Sequence, residues 1–149
     1  MIQFQHVEKR YTPALCALDD VNIEIHKGEL VLLSGANGAG KSTLLKLIYR
    51  EEEPSSGNVL VEGQNLKSLD SRAVARLRRR VGLIFQEFKL LANLSAWENI
   101  ALAAEVAGAA KNTARDRALR WLRDLGLESR RDAKPSSLSS GEQQRVALA

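Results

Sequence analysis

One short stretch limits more than any other what this chain can fold into. Residues 35–42 read Gly-Ala-Asn-Gly-Ala-Gly-Lys-Ser, which matches the pattern G-x-x-x-x-G-K-[ST] in full. The stretch follows a continuous apolar run at residues 30–33 and precedes residues 41–49, whose apolar spacing predicts a helix. An apolar run of this kind is typical of a central strand covered on both faces. The sequence therefore predicts an α/β protein in which a P-loop joins a buried strand to a helix.

The residue types in this loop suit the binding of a nucleoside triphosphate with Mg²⁺. Glycines let the backbone wrap closely enough for consecutive N–H groups to point at phosphate oxygens, and the start of the helix adds the positive end of its dipole. Lys41 supplies a point charge for the β- and γ-phosphates, and the Ser42 hydroxyl can ligate Mg²⁺. Thr43 is a candidate for a further phosphate contact. The predicted contacts are Gly35, Asn37, Gly38, Ala39, Gly40, Lys41, Ser42 and Thr43.

Strands are predicted on both sides of the loop. Val21, Ile23 and Ile25 alternate with polar residues, the pattern of a strand with one buried face. A short strand is expected at residues 59–61, between the turn signals at 54–57 and 62–64, which makes the N-terminal region partly antiparallel. The apolar residues 81–85 are predicted to form a second buried strand that ends at Gln86.

Helices are predicted mainly in the second half of the chain. Asp70 or Ser71 can cap a helix that runs through Arg79. Residues 95–98, Ser-Ala-Trp-Glu, form a capping box that opens a helix to about residue 107. A further helix is expected from about 113 to 125, closed by Gly126. A helical section therefore follows a mixed α/β section.

Composition excludes several classes of protein. A length of 149 residues with 44% hydrophobic and 27% charged residues predicts one soluble globular unit. Cys16 is the only cysteine, so an internal disulfide or a thiolate metal site is excluded, and with only His6 and His26 a histidine cluster is poorly supported. No apolar run approaches the roughly 18 residues of a membrane helix, and the start lacks the pattern of a signal peptide. We expect a cytosolic protein.

A second motif distinguishes among the classes that use a P-loop. Residues 138–145 read Leu-Ser-Ser-Gly-Glu-Gln-Gln-Arg, which resembles the signature L-S-G-G-Q of the ABC-type ATPases and its usual Q-Q-R continuation. Ser139 and Gly141 match the motif, whereas Ser140 replaces its first glycine and Glu142 its glutamine. A serine hydroxyl, a glycine N–H and a helix N-terminus together make an anion site. On these residues the chain is identified as a member of the ABC family.

The resemblance implies a P-loop NTPase fold of the ABC nucleotide-binding type, with a RecA-like core, an antiparallel β subdomain and a helical subdomain. It divides the chain into residues 1–86, 87–138 and 139–149. It implies that Tyr11 stacks on adenine, that Gln86 reaches Mg²⁺ and the attacking water, and that Ser139 and Gly141 contact the γ-phosphate. ATP and Mg²⁺ are the implied cofactors.

Within the family, residues 44–51 and 77–91 resemble the cell-division ATP-binding proteins of the FtsE type. The ATPases of lipoprotein release and macrolide efflux share much of this pattern. The resemblance implies a homodimer with each ATP held between one subunit's P-loop and the other's signature. It also implies a peripheral location at the cytoplasmic face of the inner membrane, through an FtsX-like integral membrane partner. The three adjacent arginines at 78–80 are interpreted as a solvated helix end, so no nucleic-acid partner is expected.

Members of this family continue past the signature into an apolar strand that ends in aspartate and a catalytic glutamate, followed by a histidine, and this sequence has none of them. We therefore expect a C-terminally truncated domain that is not a competent hydrolase alone and that exposes apolar residues at 30–33. An ABC ATPase of DNA repair is disfavoured because no long insertion separates Gln86 from Ser139. A P-loop kinase would not explain residues 138–145. A non-hydrolysing nucleotide-dependent module stays open for the chain as given.

Overall fold

Antiparallel pairing of the first two strands organises the N-terminal half of the chain. The computed structural model describes residues 1–149 and contains a sheet of four strands, β1 (Ile2–Thr12), β2 (Leu15–Ile25), β3 (Ser56–Val61) and β4 (Gln64–Asn65). Their order in the sheet is β2-β1-β3-β4, and every neighbouring pair is antiparallel. The two-residue connection between β1 and β2 is a hairpin, which confirms the partly antiparallel N-terminal region.

Two helices pack on this sheet and complete the first compact unit, Met1–Val81. Helix α1 is Lys41–Ile48 and helix α2 is Ser71–Arg80, and a short 3₁₀ turn lies at Leu66–Ser68. Asp70 caps α2, since its carboxylate accepts the Ala73 N–H at 2.7 Å. The buried core combines strand and helix residues: Phe4, Val7, Leu18, Leu44, Leu47, Val59, Val61, Leu66 and Leu77.

Arg78 on α2 fixes the C-terminal end of α1. Its guanidinium donates to the carbonyl of Tyr49 at 3.0 Å and to the carbonyl of Arg50 at 2.9 Å. The last carbonyls of a helix have no partner within the helix and carry the negative end of its dipole. Arg78 therefore binds the two carbonyls that directly follow α1 and places a positive charge at the negative end of the helix dipole.

The second compact unit, Gly82–Ala149, is helical. It contains α3 (Ala96–Val106), α4 (Lys111–Asp124) and α5 (Ser140–Leu148), with 3₁₀ turns at Glu128–Arg130 and Pro135–Ser137. Alanines on facing helices allow close packing, and the core consists of Ala96, Ile100, Ala101, Ala114, Ala118, Leu122, Leu127, Leu138 and Val146. None of the helices of the chain has the length and apolar character needed to cross a membrane.

The predicted helices are confirmed with ends that shift by one or two residues. The capping box at the start of α3 forms as expected, with the Glu98 carboxylate accepting the Ser95 N–H at 2.7 Å. Gly126 adopts a left-handed conformation with φ 68° directly after the end of α4. The strand predicted around Val21 is confirmed and is longer than its alternating core, because the hairpin extends it back to Leu15.

Two of the predicted strands are wrong. Residues 30–33 and 81–85 form no strand, and the side chains of Leu30 and Leu32 are 99% and 90% exposed. A strand persists only where a neighbouring strand pairs with its backbone N–H and C=O groups. The four strands of this chain pair with one another, and none pairs with these two apolar segments. The predicted exposure of the apolar residues 30–33 is confirmed. The predicted division of the chain into parts that end at residues 86 and 138 stays a prediction.

Candidate functional site

The glycine-rich loop is held against strand β2 at Gly40. Gly40 is the N-cap of α1 and has φ 85° and ψ 2°. A Cβ atom at this position would lie 2.3 Å from the carbonyl oxygen of Ala17 and 2.8 Å from Leu18 Cδ2. Only glycine combines this backbone conformation with so close an approach. Strand β2 therefore fixes where the loop ends and where α1 begins.

Lys41 folds back over the loop that precedes it. Its ammonium donates to the carbonyl oxygens of Gly35 and Ala36, both at 2.7 Å. An ammonium group has three protons, so one donor remains for an anion in the loop. The same two contacts hold the Lys41 charge at the loop.

The first turn of α1 offers donors that nothing in the chain uses. The first N–H groups of a helix lack intrahelical acceptors, the N-cap glycine has no side chain to accept them, and the turn contains no acidic residue. The Ser42 side chain is exposed and makes no hydrogen bond. Free N–H groups, the positive end of the helix dipole and an exposed hydroxyl fit the phosphates of a nucleotide and a Mg²⁺ ion.

Tyr11 lies beside the same helix. Its hydroxyl is 3.3 Å from Thr43 Oγ1, and Thr43 is 8% exposed whereas Tyr11 is 44% exposed. The Lys9 ammonium lies 5.0 Å from the centroid of the Tyr11 ring. The structure thus brings Tyr11 to α1. The Thr43 hydroxyl already contacts the Tyr11 hydroxyl, which would compete with the predicted phosphate contact of Thr43.

The predicted signature residues begin α5 in the second unit. Ser139 is the N-cap, and its hydroxyl oxygen accepts the Glu142 N–H at 3.3 Å while the Glu142 carboxylate accepts the Ser139 N–H at 2.7 Å. The hydrogen bond from the Ser139 backbone is the main cause that holds the pKa of Glu142 below its ordinary value of 4.5. The Ser139 hydroxyl also donates to the Glu142 carboxylate, which lowers the pKa of Glu142 further.

The glycine of the signature is not required by its surroundings within this unit. A Cβ atom on Gly141 would come no closer than 3.9 Å to another atom, Arg145 Nη1, and Gly141 has no positive φ. Gln143 anchors the start of α5, since its amide donates to the carbonyls of Pro135 and Leu138, both at 3.0 Å. The N-terminus of α5 is thus rigidly placed and open.

Gln86 lies in a turn at the start of the second unit. Its side chain is exposed and makes no hydrogen bond within the chain. The turn is closed by the Phe88 N–H, which donates to the carbonyl of Phe85 at 3.0 Å, and Phe88 has φ 53°. Gln86 is therefore free to reach a ligand, and its roles toward Mg²⁺ and water stay predictions.

Sequence reasoning missed two basic residues that support the site, Lys9 and Arg78. Lys9 stands two residues before Tyr11 in β1, a spacing that places side chains on one face of a strand and that could have suggested the contact. No local pattern in the sequence indicates the role of Arg78, because the carbonyls that it contacts belong to residues 28 and 29 positions earlier in the chain.

Comparison with protein-family models matches residues 18–149 to the family described as ABC transporter. The chain belongs to the ABC transporter family. Among solved structures, this ABC chain is similar to the dimeric ATP-binding cassette MJ0796 in a post-hydrolysis state bound to ADP and Pi, with 35% identity and a TM-score of 0.90 over 99% of this chain. It is also similar to cbiO1 of Clostridium perfringens, part of the cbiONQ complex, with 27% identity and a TM-score of 0.83. The expected fold class is confirmed.

Curated relatives of this ABC chain include two functional types. It is 40% identical over all 149 residues to the cell division ATP-binding protein FtsE of Bacillus subtilis, and 42% identical to the methionine import ATP-binding protein MetN of Helicobacter pylori. The chain spans 65% of that FtsE, 46% of that MetN, 67% of MJ0796 and 59% of cbiO1.

The close approach of Gly40 to β2 generates a prediction about the loop. Gly40→Ala should destabilise the protein by more than ~3 kcal/mol, since the new methyl group meets a backbone carbonyl in addition to the cost of a positive φ. Gly38→Ala is the matched control, because Gly38 has φ 82° but no atom within 4 Å of the added Cβ. Its expected cost is about 1–2 kcal/mol. Urea unfolding of both variants measures the difference, and equal losses would contradict this role of β2.

The capping box of α5 predicts that the stability of the fold depends on pH. Because the folded state lowers the pKa of Glu142, its carboxylate stabilises the fold above pH 4.5, and this contribution is lost as the pH falls through the lower folded-state pKa. Wild type should therefore unfold at a higher temperature than Glu142→Gln at pH 7, and the difference should shrink toward pH 3. Circular dichroism melts measure it. Glu87→Gln, which removes an exposed carboxylate that forms no hydrogen bond or ion pair, corrects for net charge. A difference that is constant with pH would contradict the assignment.

Proposed function

We propose that this chain is the nucleotide-binding part of an ABC ATPase that binds Mg-ATP through its P-loop and couples hydrolysis to a membrane partner. The observation that carries the proposal is the first turn of α1, where unpaired N–H groups, the Lys41 ammonium and the Ser42 hydroxyl converge. Membership of the ABC family and the likeness to a cassette bound to ADP and Pi support ATP as the ligand.

Each residue of the site has a distinct role in this proposal. Lys41 gives its third donor to the terminal phosphates, and Ser42 offers an oxygen ligand to the metal. A Mg²⁺ ion held by Ser42 and Gln86 would supply positive charge that neutralises charge developing on the phosphates. Tyr11 presents its ring to adenine from the side of α1 where its hydroxyl contacts Thr43. The amide oxygen of Gln86 suits a hard cation or a water molecule.

We also propose that two copies cooperate. Ser139 and the N-terminus of α5 would contact the γ-phosphate of an ATP held by the P-loop of the partner subunit. Support comes from the open donors at this helix start and from the dimeric structures of MJ0796. Gly141 fits this role because its missing side chain answers no local steric need, so it would serve the close approach of a ligand.

The FtsE type is the proposed subfamily, with an FtsX-like membrane protein as partner at the cytoplasmic face of the membrane. The FtsE relative supports it, together with the residues at 44–51 and 77–91. A methionine importer of the MetN type is the second candidate, because MetN relatives match the same 149 residues at 42% identity. Copurification of the partner from the native host would separate the two proposals.

Hydrolysis is proposed to need residues outside this chain. The carboxylates that contact residues of α1 or its flank are those of Glu51 and Glu53, which pair with Lys46 and Arg50 at the C-terminal end of the helix, away from the loop. The chain spans 65% to 67% of the FtsE and MJ0796 relatives, which is consistent with a base contributed by the remainder. Without it the chain is a nucleotide-binding module.

The first prediction of the proposal concerns Lys41. Lys41→Ala should weaken Mg-ATP binding at least ~10-fold, because a charge-assisted contact to phosphate contributes about 1.5–3 kcal/mol. Lys46→Ala removes the same charge from the same helix, where the ammonium pairs with Glu51 at 3.1 Å, and should keep near-native affinity. Isothermal titration calorimetry measures both affinities. Equal affinities in the Lys41 variant and the wild type would rule out the site.

The second prediction concerns turnover. The 149-residue chain should hydrolyse Mg-ATP about 10²–10⁴ times more slowly than the protein expressed with any residues that its gene encodes after position 149, since a positioned base contributes a factor of this size. Phosphate release at matched protein concentration measures the rates.

In the same assay, the rate per subunit of the longer protein should rise with protein concentration, because each site requires the signature of a second copy. Ser139→Ala should lower the rate at saturation. Equal rates from the two lengths would exclude a base outside this chain, and a rate per subunit independent of concentration would count against the shared site.

A further inference from the structure

The Lys9 side chain is enclosed by three different groups at the edge of the proposed nucleotide site. Its ammonium lies 2.7 Å from a carboxylate oxygen of Glu52, 2.9 Å from the carbonyl oxygen of Glu53 and 5.0 Å from the centroid of the Tyr11 ring. The side chain is only 13% exposed. Lysine side chains are usually solvated, so one this enclosed has a fixed position.

The Tyr11 ring is consequently held at two points. Its hydroxyl is 3.3 Å from Thr43 Oγ1 on α1, and one of its faces lies under the Lys9 ammonium. A tyrosine that is 44% exposed would otherwise exchange between rotamers. The two contacts fix both the direction of the ring and the face that remains accessible.

We propose that Lys9 is a positioning residue for recognition of the nucleobase. This inference rests on the proposed binding of ATP and deepens it. Lys9 covers one face of Tyr11, so that a base stacks only on the opposite face, and the ring is ordered before the nucleotide arrives. Ordering in advance raises affinity because binding no longer has to restrict the side chain. Glu52 and the Glu53 carbonyl hold Lys9 in this place.

The test compares two ligands, Mg-ATP and magnesium tripolyphosphate, which has the phosphates but no base. Lys9→Met keeps most of the aliphatic stem and removes the cation. It should weaken ATP about two- to tenfold, the size expected for a lost cation–π contact, and leave the affinity for tripolyphosphate unchanged. Lys9→Arg should retain ATP affinity. Arg10→Met removes the neighbouring charge of the strand and should change neither affinity.

A double-substitution cycle separates positioning from a general structural effect. Tyr11→Leu should also weaken ATP selectively, and Lys9→Met should have no further effect on ATP affinity in the Tyr11→Leu background, because its effect acts through the ring. Calorimetry gives the affinities, and thermal melts verify folding. If Lys9→Met does not fold, Glu52→Gln releases the same ammonium and should give the same selective loss.

The outcomes are distinct. Loss of ATP affinity with tripolyphosphate affinity retained, cancelled by Tyr11→Leu, supports the proposal. Equal losses for both ligands, unchanged ATP affinity, or additive effects of Lys9→Met and Tyr11→Leu overturn it while the phosphate site stands. A wild-type protein that binds neither ligand overturns the proposed function, and this inference with it.

Discussion

The contact between Gly40 and strand β2 is the constraint on which the candidate site depends. Gly40 approaches the Ala17 carbonyl so closely that no side chain is possible, and its positive φ starts α1 directly after the loop. The direction of α1, and with it the direction of its free N–H groups, follows from this contact. Strand β2 is fixed in turn by its long antiparallel pairing with β1, so the sheet is what supports the loop.

Helix α1 is stabilised differently at its two ends, and the difference suits anion binding. At the C-terminal end, Arg78 satisfies the carbonyls of Tyr49 and Arg50, and Lys46 pairs with Glu51. At the N-terminal end no side chain caps the helix. In the second unit, α5 has the opposite design, since Ser139 and Glu142 cap each other. The capping box satisfies one N–H group of α5 and fixes the position of the helix without a ligand, whereas the start of α1 retains all of its donors for a ligand.

Features that depend on residues close together in the chain were predicted well, and features that depend on residues far apart in the chain were not. A cap at Asp70 or Ser71, the capping box at Ser95 and the closing Gly126 were predicted, because a helix end is decided by residues within one turn of it. The strands at 30–33 and 81–85 were predicted wrongly. Apolar composition indicates that a segment can be buried, but a strand also needs a neighbouring strand to pair with, and none pairs with these segments. Lys9 was missed for a related reason, since its fixed position depends on Glu52, 43 residues later in the chain.

The sequence by itself determined the glycine-rich loop, the helix that follows it, the signature at 138–145 and the resemblance to ABC ATPases, since each is a local pattern of residue types. Only the tertiary structure decided that Tyr11 meets Thr43, that Lys9 lies against the Tyr11 ring and that Arg78 closes the far end of α1. These contacts join residues 2 to 32 positions apart through a sheet with several register shifts. A bulge changes which side chains share a face, and the register of a pair of strands is set by the packing of the whole sheet.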